Sequence, residues 1–170
     1  MATSPLVCVT VTAPTMAELR ARRDAVCGAD LVELRLDSVR GPDVAGALAG
    51  RRGPVLVTCR PRWEGGGFDG GEEERGRLLA AALAAGAEFV DVEWTAGFRN
   101  ALIAATAGRR IVVSQHDFDG VPGDLLDRVR AMKATGAQVV KMAVRAGRLA
   151  DCLPLLEAGR LFGEDGGLAT

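Results

Sequence analysis

Two residues of this sequence, Lys141 and His116, have side chains that together can form and process an imine. Lys141 lies within the apolar segment 138–144 and is one of only two lysines in the chain. Loss of water around an ammonium group favours the neutral amine, which can attack a carbonyl carbon and hold it as an imine. His116 is the only histidine, and an imidazole suits proton transfer near neutral pH. Each residue also has a structural explanation, an ion pair with a carboxylate, but their positions on successive strands favour a catalytic pair.

Short apolar runs separated by helical segments predict the elements that carry these residues. The predicted strands are Leu6–Thr12, Leu31–Leu36, Val55–Cys59, Phe89–Glu93, Ile111–Ser114 and Val139–Val144. Thr15 and Glu18 have the spacing of a capping box ahead of a helix that runs to about Val26, and the composition near 75–85 and 124–135 is helical. Gly28, Gly86 and Gly136 each precede a strand closely, where glycine can end a helix in the left-handed conformation. Apolar strands that alternate with helices predict a parallel sheet covered by helices.

Two α/β architectures fit this pattern, an open doubly wound sheet and a (β/α)8 TIM barrel. Polar residues favour the barrel because they lie at or beyond the carboxyl end of nearly every predicted strand, as the mouth of a barrel requires. They are Glu33, Arg35, Arg60, Asp91, Glu93 and His116. We predict a single barrel domain over residues 1–170 with about six βα units and a seventh strand near 168–170. Since eight units need at least about 200 residues, we expect the C-terminal quarter of the barrel to be missing and strands one and six to be unpaired edges.

Several further polar residues are candidates for binding a substrate rich in oxygen. Glu33 and Arg35 lie two positions apart on one strand and so face the same side, and Arg60 ends the next strand. A structural ion pair is the alternative interpretation, since buried charges require partners. Asp91 and Glu93 repeat this spacing and could orient Lys141 or His116. The glycine-rich segment 64–71 lacks the spacing of a phosphate-binding loop, and we predict a mobile loop there.

Composition excludes several classes of function. The chain is 48% hydrophobic and 25% charged, with a net charge of −1, as is typical of a globular protein. No basic run indicates nucleic-acid binding, no segment has the length of a membrane span, and one histidine with scattered cysteines does not form a metal site. The four cysteines form no pairs at close spacing, and we interpret them as buried, reduced thiols of a cytoplasmic protein.

Five fragments, in this order and spacing, resemble the type I 3-dehydroquinate dehydratases. They are Val32–Asp37, Thr58–Arg60 followed by Glu64–Gly66, Asp91–Glu93, Ser114–Phe118 and Val140–Ala143. The resemblance implies a homodimeric barrel like that of class I aldolases, which dehydrates 3-dehydroquinate to 3-dehydroshikimate in the shikimate pathway without a cofactor. It implies that Lys141 forms the imine and that His116 transfers protons. Glu33, Arg35 and Arg60 match residues that bind the substrate, Thr10 stands near it, and Glu64 matches an acid contributed by a loop.

The family also places substrate-binding and lid residues on strands seven and eight, beyond the matching part of this sequence. We therefore expect the chain to be weakly active or inactive by itself. Three other interpretations stay open: another imine-forming lyase of the aldolase type, an incomplete barrel used as an interaction module, and one domain of a larger polypeptide.

Overall fold

The computed structural model describes residues 6–163 together with the backbone of residues 168–169. The chain divides into two compact units, one ending at Asp91 and the other beginning at Val92. Among the described residues, no helix is both long enough and apolar enough to cross a membrane.

The first unit contains parallel strands in the order β1-β2-β3-β4. Their bounds are β1 Cys8–Val11, β2 Leu31–Arg35, β3 Val55–Thr58 and β4 Phe89–Glu93, the last two residues of β4 belonging to the second unit. The helices are α1 Met16–Ala25, α2 Val44–Leu48 and α3 Glu72–Ala84, with 3-10 helices at Leu36–Ser38 and Arg62–Glu64. Thr15 caps α1 as predicted, because its side chain accepts a hydrogen bond from the Glu18 amide at 3.3 Å.

The second unit continues from β4 in the order β4-β5-β6-β7. Its elements are α4 Arg99–Thr106, β5 Ile111–Asp117, α5 Leu125–Lys133, β6 Val139–Val144, a 3-10 helix at Leu149–Cys152, α6 Leu153–Phe162 and β7 Leu168–Ala169. β5 and β6 are parallel, as are β6 and β7.

Strand order decides between the two predicted architectures. Each strand pairs with the next one along the chain in both units, whereas the order of a doubly wound sheet reverses at a switch point. Sequential parallel strands joined by helices are the arrangement of a (β/α) barrel. The fold class is α/β, an incomplete TIM barrel, as the sequence predicts.

Alternation along the strands separates an apolar face from a polar one. Leu34, Val57 and Val90 are fully buried on β2, β3 and β4, and Val113 and Met142 are fully buried on β5 and β6. For each of them, at least one adjacent residue is a polar residue described below, and it lies on the opposite face because successive side chains of a strand point to opposite faces. The apolar face packs into the core, so the register of each strand is strongly specified.

The three glycines that precede strands adopt the predicted left-handed conformation. Gly28, Gly86 and Gly136 have φ values of 72°, 88° and 81°. The short loops between the helices and the strands that follow depend on this conformation, which a residue with a side chain rarely adopts.

The predictions for β5 and β6 were wrong in one respect each. β5 does not end at Ser114 but continues to Asp117, because its pairing with β6 extends to that residue. β6 is not an unpaired edge, since β7 pairs with it at Val140 and Lys141. Predicted strand residue Thr170 lies outside the described residues.

The cysteines also differ from expectation. All four are free thiols, but only Cys59 is buried, while Cys8 and Cys27 are exposed and Cys152 is intermediate. Cys8 is exposed because it lies on β1, where only Val11 is buried. Cys27 is exposed because it follows the end of α1. The sequence analysis predicted burial for all four thiols, but position in the fold decides it.

Candidate active site

Lys141 and His116 lie on neighbouring strands of the second unit and project from the same face of the sheet. Lys141 pairs in register with Ser114, and His116 pairs with Ala143. Paired residues of parallel strands share a face, and so do residues two positions apart on one strand. The spacing between strands and the rise along a strand separate the two Cα atoms by about 8 Å. Both residues are half-buried, so one small ligand on this face can reach both side chains.

The positions around this pair are buried and polar. Ser114 and Glu93 are both fully buried, and the Trp94 amide donates a hydrogen bond to the Ser114 carbonyl at 2.7 Å. The imidazole of His116 stacks on the ring of Phe118, with the ring centres 6.3 Å apart. These contacts hold the end of β5 and limit the orientations of the imidazole.

In the first unit, Glu33 is the centre of a buried hydrogen-bond cluster. Its two carboxylate oxygens accept hydrogen bonds from the hydroxyl groups of Thr10 at 2.7 Å and Thr58 at 2.6 Å. Glu33 is 6% exposed and Thr58 is fully buried. Because hydrogen bonds to an ionised group are short and strong, these contacts fix the orientation of the carboxylate.

Arg60 forms a second buried cluster, directly beyond the end of β3. Its guanidinium lies 2.9 Å from an oxygen of Asp91 and 3.4 Å from an oxygen of Glu64. Arg60, Glu64 and Asp91 are 3%, 7% and 0% exposed. The three side chains form one buried cluster, in which the guanidinium has a carboxylate partner on each of two elements.

Arg35 has a different partner from the one that the sequence indicated. Its Nε and Nη2 groups donate hydrogen bonds to the two oxygens of Asp37 at 2.8 and 2.7 Å. The hydrogen bond to Asp37 is the main cause that raises the pKa of the Arg35 guanidinium. Sequence reasoning did not include Asp37 among the site residues, although an acid two positions after an arginine at a strand end was a usable signal.

Asp37 also accepts hydrogen bonds from two backbone amides, those of Arg60 at 3.1 Å and Gly67 at 3.0 Å. Burial by itself acts to raise the pKa of the Asp37 carboxyl. The hydrogen bonds from Arg35 and from the Gly67 and Arg60 amides outweigh burial, so that this pKa lies below its usual value. Asp37 is therefore ionised at neutral pH.

The glycine-rich loop after β3 is tied down by its own backbone. Gly66 donates to the Pro61 carbonyl at 2.9 Å and Phe68 donates to the Arg60 carbonyl at 3.1 Å. A Cβ atom on Gly66 would lie 2.0 Å from the Arg60 carbonyl oxygen, and one on Gly67 would lie 2.6 Å from the Asp37 carbonyl oxygen. Glycine is needed at both positions for this close approach. These contacts hold the loop against Arg60 and Asp37 and do not support the prediction that it is mobile.

The predicted site residues thus fall into two groups, one in each unit. Lys141 and His116 come together in the second unit, and the first unit brings together Thr10 with Glu33 and Arg60 with Glu64, while Arg35 is held by Asp37. Asp91 serves as a partner of Arg60. Within the part of the chain that the structure describes, no group of three or more His, Cys, Asp or Glu side chains is arranged to hold a metal ion.

A family model for the type I 3-dehydroquinases matches residues 7–164. The chain belongs to this family. The 3-dehydroquinate dehydratase of Desulfotalea psychrophila is 31% identical over 157 residues, which cover 89% of this chain and 70% of that protein. The 3-dehydroquinate dehydratase of Syntrophobacter fumaroxidans is 39% identical over 146 residues, which cover 76% of this chain and 60% of that protein.

A solved structure of the same family shares the fold of this chain. The crystal structure of 3-dehydroquinate dehydratase from Geobacillus kaustophilus matches with a TM-score of 0.82 and 31% identity, over 94% of this chain and 69% of that one. The family consists of hydro-lyases of the shikimate pathway, so the predicted family, enzyme class and fold class are confirmed. The roles of individual residues stay predictions.

Proposed function

We propose that this chain dehydrates 3-dehydroquinate to 3-dehydroshikimate through an imine at Lys141, with His116 as the group that transfers protons. The observation that carries the proposal is the register of β5 and β6, which puts both side chains on one face of neighbouring strands. Membership of the 3-dehydroquinase family supplies the substrate. The structure supplies an amine and an imidazole within reach of one small ligand.

In the proposed reaction, the Lys141 amine attacks the ketone carbon, and loss of water gives an imine. The imine withdraws electrons from the adjacent carbon, and His116 removes a proton there. The electron pair left on that carbon forms the new double bond as the hydroxyl on the next carbon departs, and the proton that His116 accepted leaves with this hydroxyl as water. A second water then hydrolyses the imine, which releases the product and restores the amine, so the net change is the loss of one water.

We propose that Glu33, Arg35 and Arg60 bind the hydroxyls and ring of the substrate, with Thr10 and Glu64 contributing. Two features of the first unit support this. The Glu33 carboxylate is oriented by Thr10 and Thr58, and Glu64 is buried against Arg60. Polar groups that are already fixed lose little freedom when a ligand binds. The proposal also takes the protein to be a cytoplasmic homodimer whose barrel forms one domain. Light scattering of the purified chain would test the homodimer.

The test is borohydride trapping of the imine with 3-dehydroquinate, combined with an ultraviolet assay for 3-dehydroshikimate. Lys141→Ala should lose both the trapped adduct and turnover. Lys133→Ala is a matched control, because Lys133 is the second lysine and its amine donates to the Phe162 carbonyl at the end of α6 at 2.7 Å. That variant should still be trapped.

Three outcomes bear on the alternatives. Trapping that persists in Lys141→Ala but disappears in Lys133→Ala would refute the assignment of the nucleophile. Trapping by other ketones but not by 3-dehydroquinate would support a different imine-forming lyase. A folded chain that is neither trapped nor active would favour the interaction module.

A further inference from the structure

The Asp37 carboxylate accepts hydrogen bonds from three separate parts of the chain. Its side chain is 2% exposed. It receives two bonds from the Arg35 side chain, one from the amide at the end of β3 and one from the amide of Gly67. These partners lie 2, 23 and 30 residues away along the chain. One carboxylate thus connects β2, β3 and the glycine-rich loop.

The contact with Arg35 leaves a defined part of the guanidinium available. Nε and Nη2 face Asp37, and Nη1 has no hydrogen-bond partner among the described residues. The Arg35 side chain is 24% exposed, whereas Asp37 is enclosed. A guanidinium is planar and rigid, so a carboxylate that holds one edge fixes the direction of the N–H groups on the other.

We propose that Asp37 is a positioning residue for substrate binding, which fixes Arg35 so that its Nη1 group presents N–H donors to an oxygen of the substrate. This inference rests on the proposed function, because the binding of substrate by Arg35 is part of that proposal. The bonds from the Gly67 and Arg60 amides hold the carboxylate itself in place. Asp37 itself is enclosed and acts through Arg35.

A charged carboxylate is necessary for this role. Asp37 accepts four hydrogen bonds and donates none, because all four of its partners are N–H donors. An amide in its place has one acceptor oxygen and a donor NH2 group, which would face the Arg35 or backbone N–H groups. Asp37→Asn therefore keeps the shape of the side chain but breaks the bidentate contact.

The experiment measures KM and kcat for 3-dehydroquinate in Asp37→Asn and in a double-mutant cycle with Arg35→Ala. We expect Asp37→Asn to raise KM about tenfold or more, since charge-assisted hydrogen bonds are lost, with a smaller change in kcat. In the Arg35→Ala background the same substitution should change KM less than about threefold, because residues that act through one another are not additive. A full tenfold effect in that background would overturn the proposal.

Asp151→Asn is the matched control. Asp151 also accepts hydrogen bonds from one arginine side chain, that of Arg148, and from two backbone amides, and its contacts include no predicted site residue. The KM of Asp151→Asn for 3-dehydroquinate should equal that of the parent chain. A similar rise in KM for Asp151→Asn would mean that general destabilisation explains the effect and would overturn the proposal.

Arg35→Lys provides a second variant if Asp37→Asn fails to fold. Lysine keeps the charge but lacks the planar fork, so KM should rise here as well, and an unchanged KM would refute the inference. Failure of the proposed function is distinguishable: it would appear as absent turnover and trapping in the parent chain. Normal parent turnover with an unchanged KM in Asp37→Asn would refute the Asp37 inference alone.

Discussion

Substitution of Gly66 by alanine tests how tightly the loop after β3 is built. The new Cβ atom would lie 2.0 Å from the Arg60 carbonyl oxygen and 2.4 Å from its carbonyl carbon. These are backbone atoms at the end of a buried strand and cannot move as a flexible side chain can. Gly66 is not among the residues with positive φ, so the cost of the methyl group comes from contact and not from backbone conformation.

The magnitude follows from the bonds that must break when the loop moves away. Two are backbone hydrogen bonds, from Gly66 to Pro61 and from Phe68 to Arg60. The third joins the Gly67 amide to the ionised Asp37 carboxylate. At about 1 kcal/mol for each of the first two and about 1.5 to 3 kcal/mol for the third, the free energy of unfolding should fall by about 3.5 to 5 kcal/mol. For a chain of this size, Tm should fall by about 7 to 20 °C.

The assay is thermal unfolding followed by circular dichroism, with Gly53→Ala as the control. A Cβ atom on Gly53 meets nothing within 4 Å, and its φ is not positive. Alanine at such a position leaves stability unchanged or raises it by about 0.4 to 1 kcal/mol. Equal Tm values for Gly66→Ala and Gly53→Ala would show that the loop does not pack against Arg60 as described.

Two further predictions concern the buried carboxylates. Thr58→Val removes the hydroxyl that donates to Glu33 and should lower the free energy of unfolding by about 1.5 to 3 kcal/mol. Thr106→Val, whose hydroxyl donates only to carbonyls of its own helix, should cost less. Equal losses measured by urea unfolding would contradict the cluster. The lowered pKa of Asp37 means that its stabilising contribution is complete above the unfolded value of about 3.9 and is lost as pH falls through the lower folded value. The difference in Tm between the parent chain and Asp37→Asn should therefore narrow below about pH 4, and a difference that widens in acid would refute this assignment.

Much of the fold was readable from local pattern. All six predicted strands are present, β4 and β6 with the predicted bounds, because a buried parallel strand is a short apolar run whatever surrounds it. The apolar pattern predicted the ends of the strands less well than their presence. The run of β5 stops being apolar at Ser114, yet the strand continues through His116 to Asp117, since pairing with β6 satisfies its backbone even where the side chains are polar.

The candidate site was less completely predictable. Residue types identified Glu33, Arg35 and Arg60 as charged groups that need partners, and the structure supplies those partners. The sequence did not indicate that Asp37, and not Glu33, would hold Arg35, nor that Asp91 would face Arg60. Each choice depends on how far a side chain reaches along the face of a strand, and this depends on register and rotamer together.

The amino-acid order by itself determined that Lys141 lies in a strand of a parallel α/β protein, that His116 comes directly after the apolar run of another strand, and that their motifs are those of the 3-dehydroquinases. Period-two alternation and short apolar runs are local properties that need no knowledge of distant residues. Only the tertiary structure decided that the two residues share one face, through the pairing of Ser114 with Lys141 and of His116 with Ala143. It also decided that one carboxylate, Asp37, would gather Arg35, the end of β3 and Gly67, because hydrogen bonds between residues 23 to 30 positions apart exist only once the strands have paired.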